Sequence, residues 1–430
     1  MDEITNWEPH DDFVDHRIDQ TGDYNPAQSP WSLNDRFSHN PTYIASQDEL
    51  RGIIFSIAQS GAPTRAGSPA MHATEHLEDE PRLLGSHIAS KYADITIEQT
   101  KGENNKKQMI YLKNYVREVA PWLDMFDSQN TFGIQLPILA HDFPALRYAI
   151  LAISARQMER KNGTRDSFDS LELYQESIRL LSPLLQVRDA NVIATCVLLC
   201  CLEMMSARGQ DWRRHLEGCA ALFNAFEIHG FSSGLLQAVF WCYARMVMEM
   251  FIDFFWKLDL QTYYTGSTEL GHDNGCTDRE FERRWMQLWE DLQKWVLQRP
   301  AELLPVQTTK MGPFVHMFFS FWAAISSNQL YHTACILLLG VKPGGTDAET
   351  SSVKSPVWHA RRVCGISLAN PHHGCLNNAV QPLWLAGRLF SHKAEHDAII
   401  SLIQEIEAAS GWAACWRIND LKMAWGYTVP

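Results

Sequence analysis

TCVLLCCLEM, Thr195 to Met204, holds three of the chain's ten cysteines, while the 195 residues before Cys196 hold none. Cys196 and Cys200 are four apart and share a helix face; Cys201 points elsewhere. Val197, Leu198, Leu199 and Leu202 make the stretch apolar all round. A helix of that kind is buried, and buried thiols are inert packing groups. Small-module zinc sites prefer C-x2-C pairs on turns, and this chain contains none. The stretch therefore reads as the centre of a helical core.

Working outward, the same periodicity recurs on both sides. IYLKNYVREVAPWLDMF (110–126) carries a helical stripe with a kink at Pro121. LPILAHDFPALRYAILAISARQMER (136–160) starts a helix near Pro144. Asp166 to Gln186 places Leu171, Tyr174, Ile178, Leu181 and Leu185 on one face. Asp189 can cap the helix through the opening stretch. Another runs from Asp211, with Trp212, Leu216, Cys219, Phe223 and Phe226 in register. Further helices are expected over 233–257, 279–298, 313–340, 376–390, 393–409 and 415–425. With no period-two alternation and no βαβ rhythm, the fold class is all-α, a multi-helix bundle or array.

Residues 1–105 differ. They carry 18 acidic and 7 basic residues, a net charge of −11 out of −13 for the whole 430-residue chain. Pro26, Pro30, Pro41, Pro63, Pro69 and Pro81 recur among Ser, Asp and Gly, so this stretch is expected to be a disordered acidic arm, with a short helix around Leu50 to Gln59. Trp7, Phe13, Tyr24, Trp31 and Phe37 interleaved with acids give the composition of an acidic-hydrophobic activation segment, or of a plain solvated tail. The domain division is 1–105 and 106–427. The start, MDEITNWEPHDD, lacks an apolar core, so no secretory leader is expected, and the cysteines read as reduced thiols. The uncharged run Met311 to Val341 is interrupted by His316, Ser326, Ser327, Asn328, Gln329 and His332. That favours a buried helix over a membrane span.

Four short motifs admit chemistry. DDFVD (11–15) has the spacing with which all-α terpene synthases hold Mg²⁺, through Asp11, Asp12 and Asp15, but it lies in the acidic arm. PHHGC (371–375) brings His372, His373 and Cys375 together on a turn ill suited to one tetrahedral ion. GFSSG (230–234) fits G-x-S-x-G with Ser232 as nucleophile, but a helical segment precedes it where a strand is needed. Basic doublets at Lys106-Lys107, Arg213-Arg214, Arg283-Arg284 and Arg361-Arg362 never extend into a phosphate-binding run. No catalytic, metal-ligating or DNA-contacting residue is assigned from these, and no cofactor.

Taken in order, YLKNYVREVAPWLDMFD (111–127), FPALRYAILAISARQ (143–157), YQESIRLLSPLL (174–185), ATCVLLCCLEMM (194–205) and DWRRHLEGCAALF (211–223) form a series. QPLWLAGRLF (381–390) and ISLIQEIEAASGWAACWRINDLKMAWG (400–426) follow near the end. This set resembles the regulatory domain of fungal zinc-cluster transcription factors, over about residues 106–427. The resemblance implies a non-catalytic, nuclear, all-α regulatory domain of a transcriptional regulator. It implies protein partners in the transcription machinery, homo- or heterodimers, and a possible small-molecule effector between helices. Family members usually carry a basic N-terminal module whose six cysteines hold two zinc ions and read DNA. Residues 1–105 are acidic and free of cysteine, so no zinc ligand carries over. DNA is then reached only through a missing module or a partner, and zinc enters only with such a module. The competing readings are a metal-dependent all-α enzyme using DDFVD and a helical scaffold outside transcription.

Overall fold

The computed structural model describes residues 36–60, 103–164, 168–185, 187, 189–206, 213–257, 278–343 and 354–427. These are helical almost throughout, with a single two-stranded sheet among them. The opening stretch is helix α7 in chain order (Ala190–Ser206), and every residue from Val192 to Ser206 is buried. Asp189 begins it as expected, its carboxylate accepting the Asn191 N–H at 2.7 Å.

Around α7 stand α5 (Pro144–Asn162), α8 (Arg213–Ala225) and α9 (Gly234–Lys257), and α6 (Asp169–Leu181) packs along α5. Pro144 opens α5 at its first turn, where a missing N–H costs nothing. The Pro121 kink is absorbed by a change of helix type. α2 (Glu103–Asn114) widens into a π turn over Tyr115–Val119, where the Ala120 N–H reaches back five residues to the Tyr115 carbonyl. The short α3 (Ala120–Leu123) then carries Pro121.

A second group of helices closes the other side. α10 (Asp278–Gln298) lies on α11 (Trp322–Gly340), which packs on α12 (Pro356–Ala369). α13 (His373–Leu376) sits against α3, and α14 (Val380–Gly387) packs on α12 and α15 (Lys393–Ser410). α16 (Trp416–Ala424) ends the described chain. α4 (Gln135–Leu139) is a single turn before α5.

Three expectations are corrected. First, the segment 313–340 is not one helix: β1 (Gln307–Met311) and β2 (Phe314–Phe318) form an antiparallel hairpin before α11. Its two-residue turn is Gly312-Pro313, with Gly312 at φ +60, as a turn matched to strand twist requires. The alternation is invisible in sequence because β1 is exposed along its whole length. Asn370 locks the hairpin's end, accepting the Phe319 N–H at 2.9 Å and donating to the Met317 carbonyl at 2.7 Å. Second, α12 was not expected. Its Gly365 lets β2 lie directly on it: a Cβ there would stand 1.8 Å from the Val315 carbonyl oxygen. Third, the short helix expected around Leu50 to Gln59 is present but longer, and it is docked. Residues 36–60 are described and folded onto the body, with α1 spanning Pro41–Ser60.

α1 is docked by a few large contacts. Phe37, Tyr43, Leu50 and Ile54 are buried. Phe37 lies over the buried Arg156 guanidinium at 4.0 Å, and Tyr43 packs on Tyr174 with ring centroids 5.4 Å apart. Ile54 fits against Gly218 of α8, where any Cβ would sit 3.1 Å from it. Beneath them the Tyr174 hydroxyl donates to the buried Glu203 carboxylate of α7. Residues 1–35 and 61–102 lie outside the described residues, and DDFVD with them.

Phe37→Ala is expected to cost about 3–5 kcal/mol in urea unfolding, because it empties a core site and uncovers Arg156. A change near zero would mean a solvated tail. Gly365→Ala is expected to destabilise by about 1–3 kcal/mol, although Gly to Ala inside a helix normally stabilises. The sign of the change checks the contact with β2.

Candidate functional site

Among the described residues, PHHGC and GFSSG do not gather into a reaction centre. Asp11, Asp12 and Asp15 lie outside the described residues. In PHHGC the His372 Nδ1 and the Cys375 thiol stay 3.9 Å apart, while His373 turns away from both. His372 accepts the Gly374 N–H at 3.1 Å and so caps α13. His373 is half exposed beside Glu118 at 3.5 Å. Cys375 is buried, its thiol 3.7 Å from the Trp322 carbonyl oxygen and burial holding it protonated, its pKa raised to about 11. Among the described residues no three His, Cys, Asp or Glu side chains converge as a metal site. GFSSG is an inter-helix loop: the Ser232 hydroxyl accepts the His229 N–H at 3.1 Å, and no strand feeds it. Of the doublet arginines, Arg361 pairs with Glu395 at 2.8 Å and Arg362 lies over the Trp358 ring. Cys196, Cys200 and Cys201 are buried as the sequence predicts.

What the structure does build is a polar and aromatic seam that joins the start of the body to its end. Pro-Trp-Leu-Asp (121–124) and Gly-Trp (411–412) meet there. Trp122 and Trp412 pack edge to face, with centroids 5.9 Å apart and planes at 90°. Asp124 folds the loop after it, accepting the Phe132 N–H at 2.7 Å and the Gly133 N–H at 2.8 Å. Its pKa is raised to about 7 by burial, against the pull of those two amides.

Glu407 does the same work at the other end. One carboxylate oxygen takes the Arg160 guanidinium at 2.8 Å; the other takes the Ala414 and Cys415 N–H groups at 2.8 and 2.6 Å. Arg160 also donates to the Gly411 carbonyl at 2.5 Å. Arg417 is fully buried between the rings of Trp384 and Trp416, at 4.1 and 4.0 Å, and donates to Gln381 at 2.6 Å. The sequence marked Pro-Trp-Leu-Asp and Gly-Trp…Trp-Arg only as parts of a resemblance. Glu407 and Arg160 look like ordinary surface helix residues, and nothing in their spacing signals the pairing.

A second buried cluster lies between α11 and α12. His332 and His359 approach through their Nδ1 atoms at 2.9 Å, so one donates and the other accepts. Burial pushes both pKa values down, His359 to about 3, and neighbouring Arg362 pushes them the same way. Tyr331 and Trp358 pack edge-on against the pair.

A cleft lies where α9, α11 and α14 meet, lined by Met125, Arg245, Met248, Ser326 and Asn378 among others. It has room for about one water molecule. No helix among the described residues is long and apolar enough to cross a membrane, the 311–341 run included.

Glu407→Gln is expected to cost about 3–5 kcal/mol, since its one remaining oxygen cannot accept both from the buried Arg160 and from the Ala414 and Cys415 N–H groups. Chemical denaturation measures it. The histidine pair sets an acid limit. Both groups are neutral in the folded protein, and an unfolded His takes up a proton near pH 6.5, so the unfolded state gains protons as pH falls. Stability is therefore expected to fall below pH 6.5, by about 2 kcal/mol at pH 5 from His359 alone. His359→Gln should flatten the dependence of Tm on pH across that window.

Comparison with known proteins matches residues 110–260 to the fungal specific transcription factor domain. The match opens in α2, near its Ile110, and runs to the end of α9, so it includes Pro-Trp-Leu-Asp, α7 and the helices around it. The chain is similar to transcription activator AMTR1 of Alternaria alternata, at 29% identity over 181 residues. That similarity covers 36% of this chain and 24% of the relative, so the chain matches about a quarter of that protein's length. No solved structure matches the chain. The segments at 381–390 and 400–426 lie beyond the matched residues, yet they pack against them through Trp122, Trp412, Arg160 and Glu407. Residues 110–260, and so about a third of the chain, are similar to the fungal specific transcription factor domain.

Proposed function

We propose that this protein is a fungal transcriptional regulator that works through protein contacts and not through catalysis. The observation that carries the reading is the matched region itself: residues 110–260 form the buried helical centre on which the rest of the body is packed. The similarity to a protein named as a transcription activator supports the same reading. In this reading the body receives signals or binds partners, and the acidic, aromatic-containing stretch 1–35 contacts the transcription machinery. The protein acts in the nucleus, reaches DNA through a partner or a further module, and needs no cofactor within the segments described.

The experiment joins the chain to an unrelated DNA-binding module and follows a reporter gene carrying the cognate site. Expression is expected to rise above that of the module alone, and to fall back when residues 1–35 are removed, with the body still folded by circular dichroism. Unchanged expression together with a tagged protein held outside the nucleus would favour a scaffold outside transcription. Activity lost on Asp11→Ala, Asp12→Ala and Asp15→Ala together, in an assay with Mg²⁺ and an isoprenoid diphosphate, would favour the enzyme.

A further inference from the structure

EFERRWMQLWEDLQK, Glu280 to Lys294, runs through α10 and carries its charges in mirror order. Reflected through Gln287, Glu280 falls on Lys294, Arg283 on Asp291, and Arg284 on Glu290. Each pair is opposite in sign. The spacings of three, four and seven place all six on one face of the helix, opposite Trp285. All six are exposed. Glu282, the one charge in the stretch without a counterpart, is half-buried on the flank toward Trp285.

The other face of α10 holds it to the body. The Trp285 indole N–H donates to the Leu338 carbonyl of α11 at 2.8 Å, and Trp295 stacks on Tyr331 with centroids 5.5 Å apart. Trp289 stacks in turn on Trp285 at 5.6 Å. Among the described residues of α10 only Trp285 is buried. The charged face is little used within the chain. Glu280 and Arg283 stand 3.9 Å apart, and Gln287 donates to Asp291 at 3.1 Å. Arg284, Glu290 and Lys294 form no ion pair among the described residues. Met286 and Leu288, 48% and 49% exposed, flank Gln287 on its two sides.

We propose that two copies of this protein pair through α10, with the helices antiparallel about a two-fold axis at Gln287. A two-fold interface brings residue i to j and j to i, so a helix that pairs with its own copy must be complementary to itself end for end. The reversed charge order of α10 meets that condition. Each doublet straddles the face. Arg283 therefore meets Glu290 of the second copy on one flank, and Arg284 meets its Asp291 on the other. Glu280 meets its Lys294 along the centre line. Met286 and Leu288 each meet their own counterpart beside the axis, which adds apolar contact in the middle. A parallel pairing would set Arg283 and Arg284 against themselves, so the charges also fix the direction. Exposed ion pairs contribute little each, so the pairing is reversible and depends on concentration. α10 lies beyond residues 110–260, and the inference rests neither on the family likeness nor on a role in transcription.

Sedimentation equilibrium of the full-length protein is expected to give a mass that rises with concentration toward twice the 49.1 kDa of one chain. Arg283→Glu with Arg284→Glu sets acid against acid and is expected to weaken self-association at least about tenfold. Glu290→Arg with Asp291→Arg sets base against base and is expected to do the same. All four side chains are exposed, so circular dichroism of both variants should match that of the wild type. Mixed one to one, the two variants are expected to associate again, because both doublet contacts are then opposite in sign; misfolded chains would not. A wild-type chain that stays monomeric, a dimer that neither pair of substitutions weakens, or a mixture that stays monomeric would each overturn the proposal.

Discussion

A helix that is apolar on every side cannot lie at a surface, and α7 is such a helix. Its burial obliges other helices to surround it, so α5, α8 and α9 are placed by its needs. Two of the polar side chains on it find partners inside the protein. Thr195 donates to the Asn191 carbonyl at 2.6 Å, and Glu203 receives the Tyr174 hydroxyl. An unsatisfied carboxylate there would cost several kcal/mol, so Tyr174 and its α6 backbone are fixed as firmly as the apolar contacts are. α1 is recruited by the same demand, because Phe37 and Tyr43 cover the charged and hydroxyl-bearing side of this layer.

Much of this arrangement is legible in the sequence because the signal is local. The all-apolar run, the cap at Asp189, Pro144 at a helix start and the stripe from Tyr174 to Leu185 each state a rule within one or two turns. α12 was unreadable for the opposite reason. Its buried face includes His359, which is tolerated only because His332 of another helix meets it. The hairpin was unreadable because its pairing partner β1 buries nothing, leaving Gly312-Pro313 as the sole sign. Residues 36–60 were assigned to an arm by their prolines and acids, while four well-spaced large side chains decide their placement.

PHHGC shows the same limit of sequence spacing. His372, His373 and Cys375 are neighbours in sequence, and a one-turn helix keeps His372 3.9 Å from Cys375 but turns His373 to a surface carboxylate. Conversely, Arg160 and Glu407 stand 247 positions apart in the chain and pair at 2.8 Å, and no spacing rule links them. Residues adjacent along the chain were separated, and residues far apart were gathered, because side-chain direction follows helix geometry and not sequence distance.

The Trp122–Trp412 contact carries a consequence for inheritance. The two rings lie far apart along the chain, one inside the family-matched region and one well outside it. Neither can change size without opening a hole or a clash at the other. Selection therefore treats these two positions as one, and a recombination event that replaced residues 110–260 from a relative would inherit one indole without its fitted counterpart. The seam makes the C-terminal helices co-inherited with the matched core, although sequence likeness alone sets the boundary 150 positions earlier.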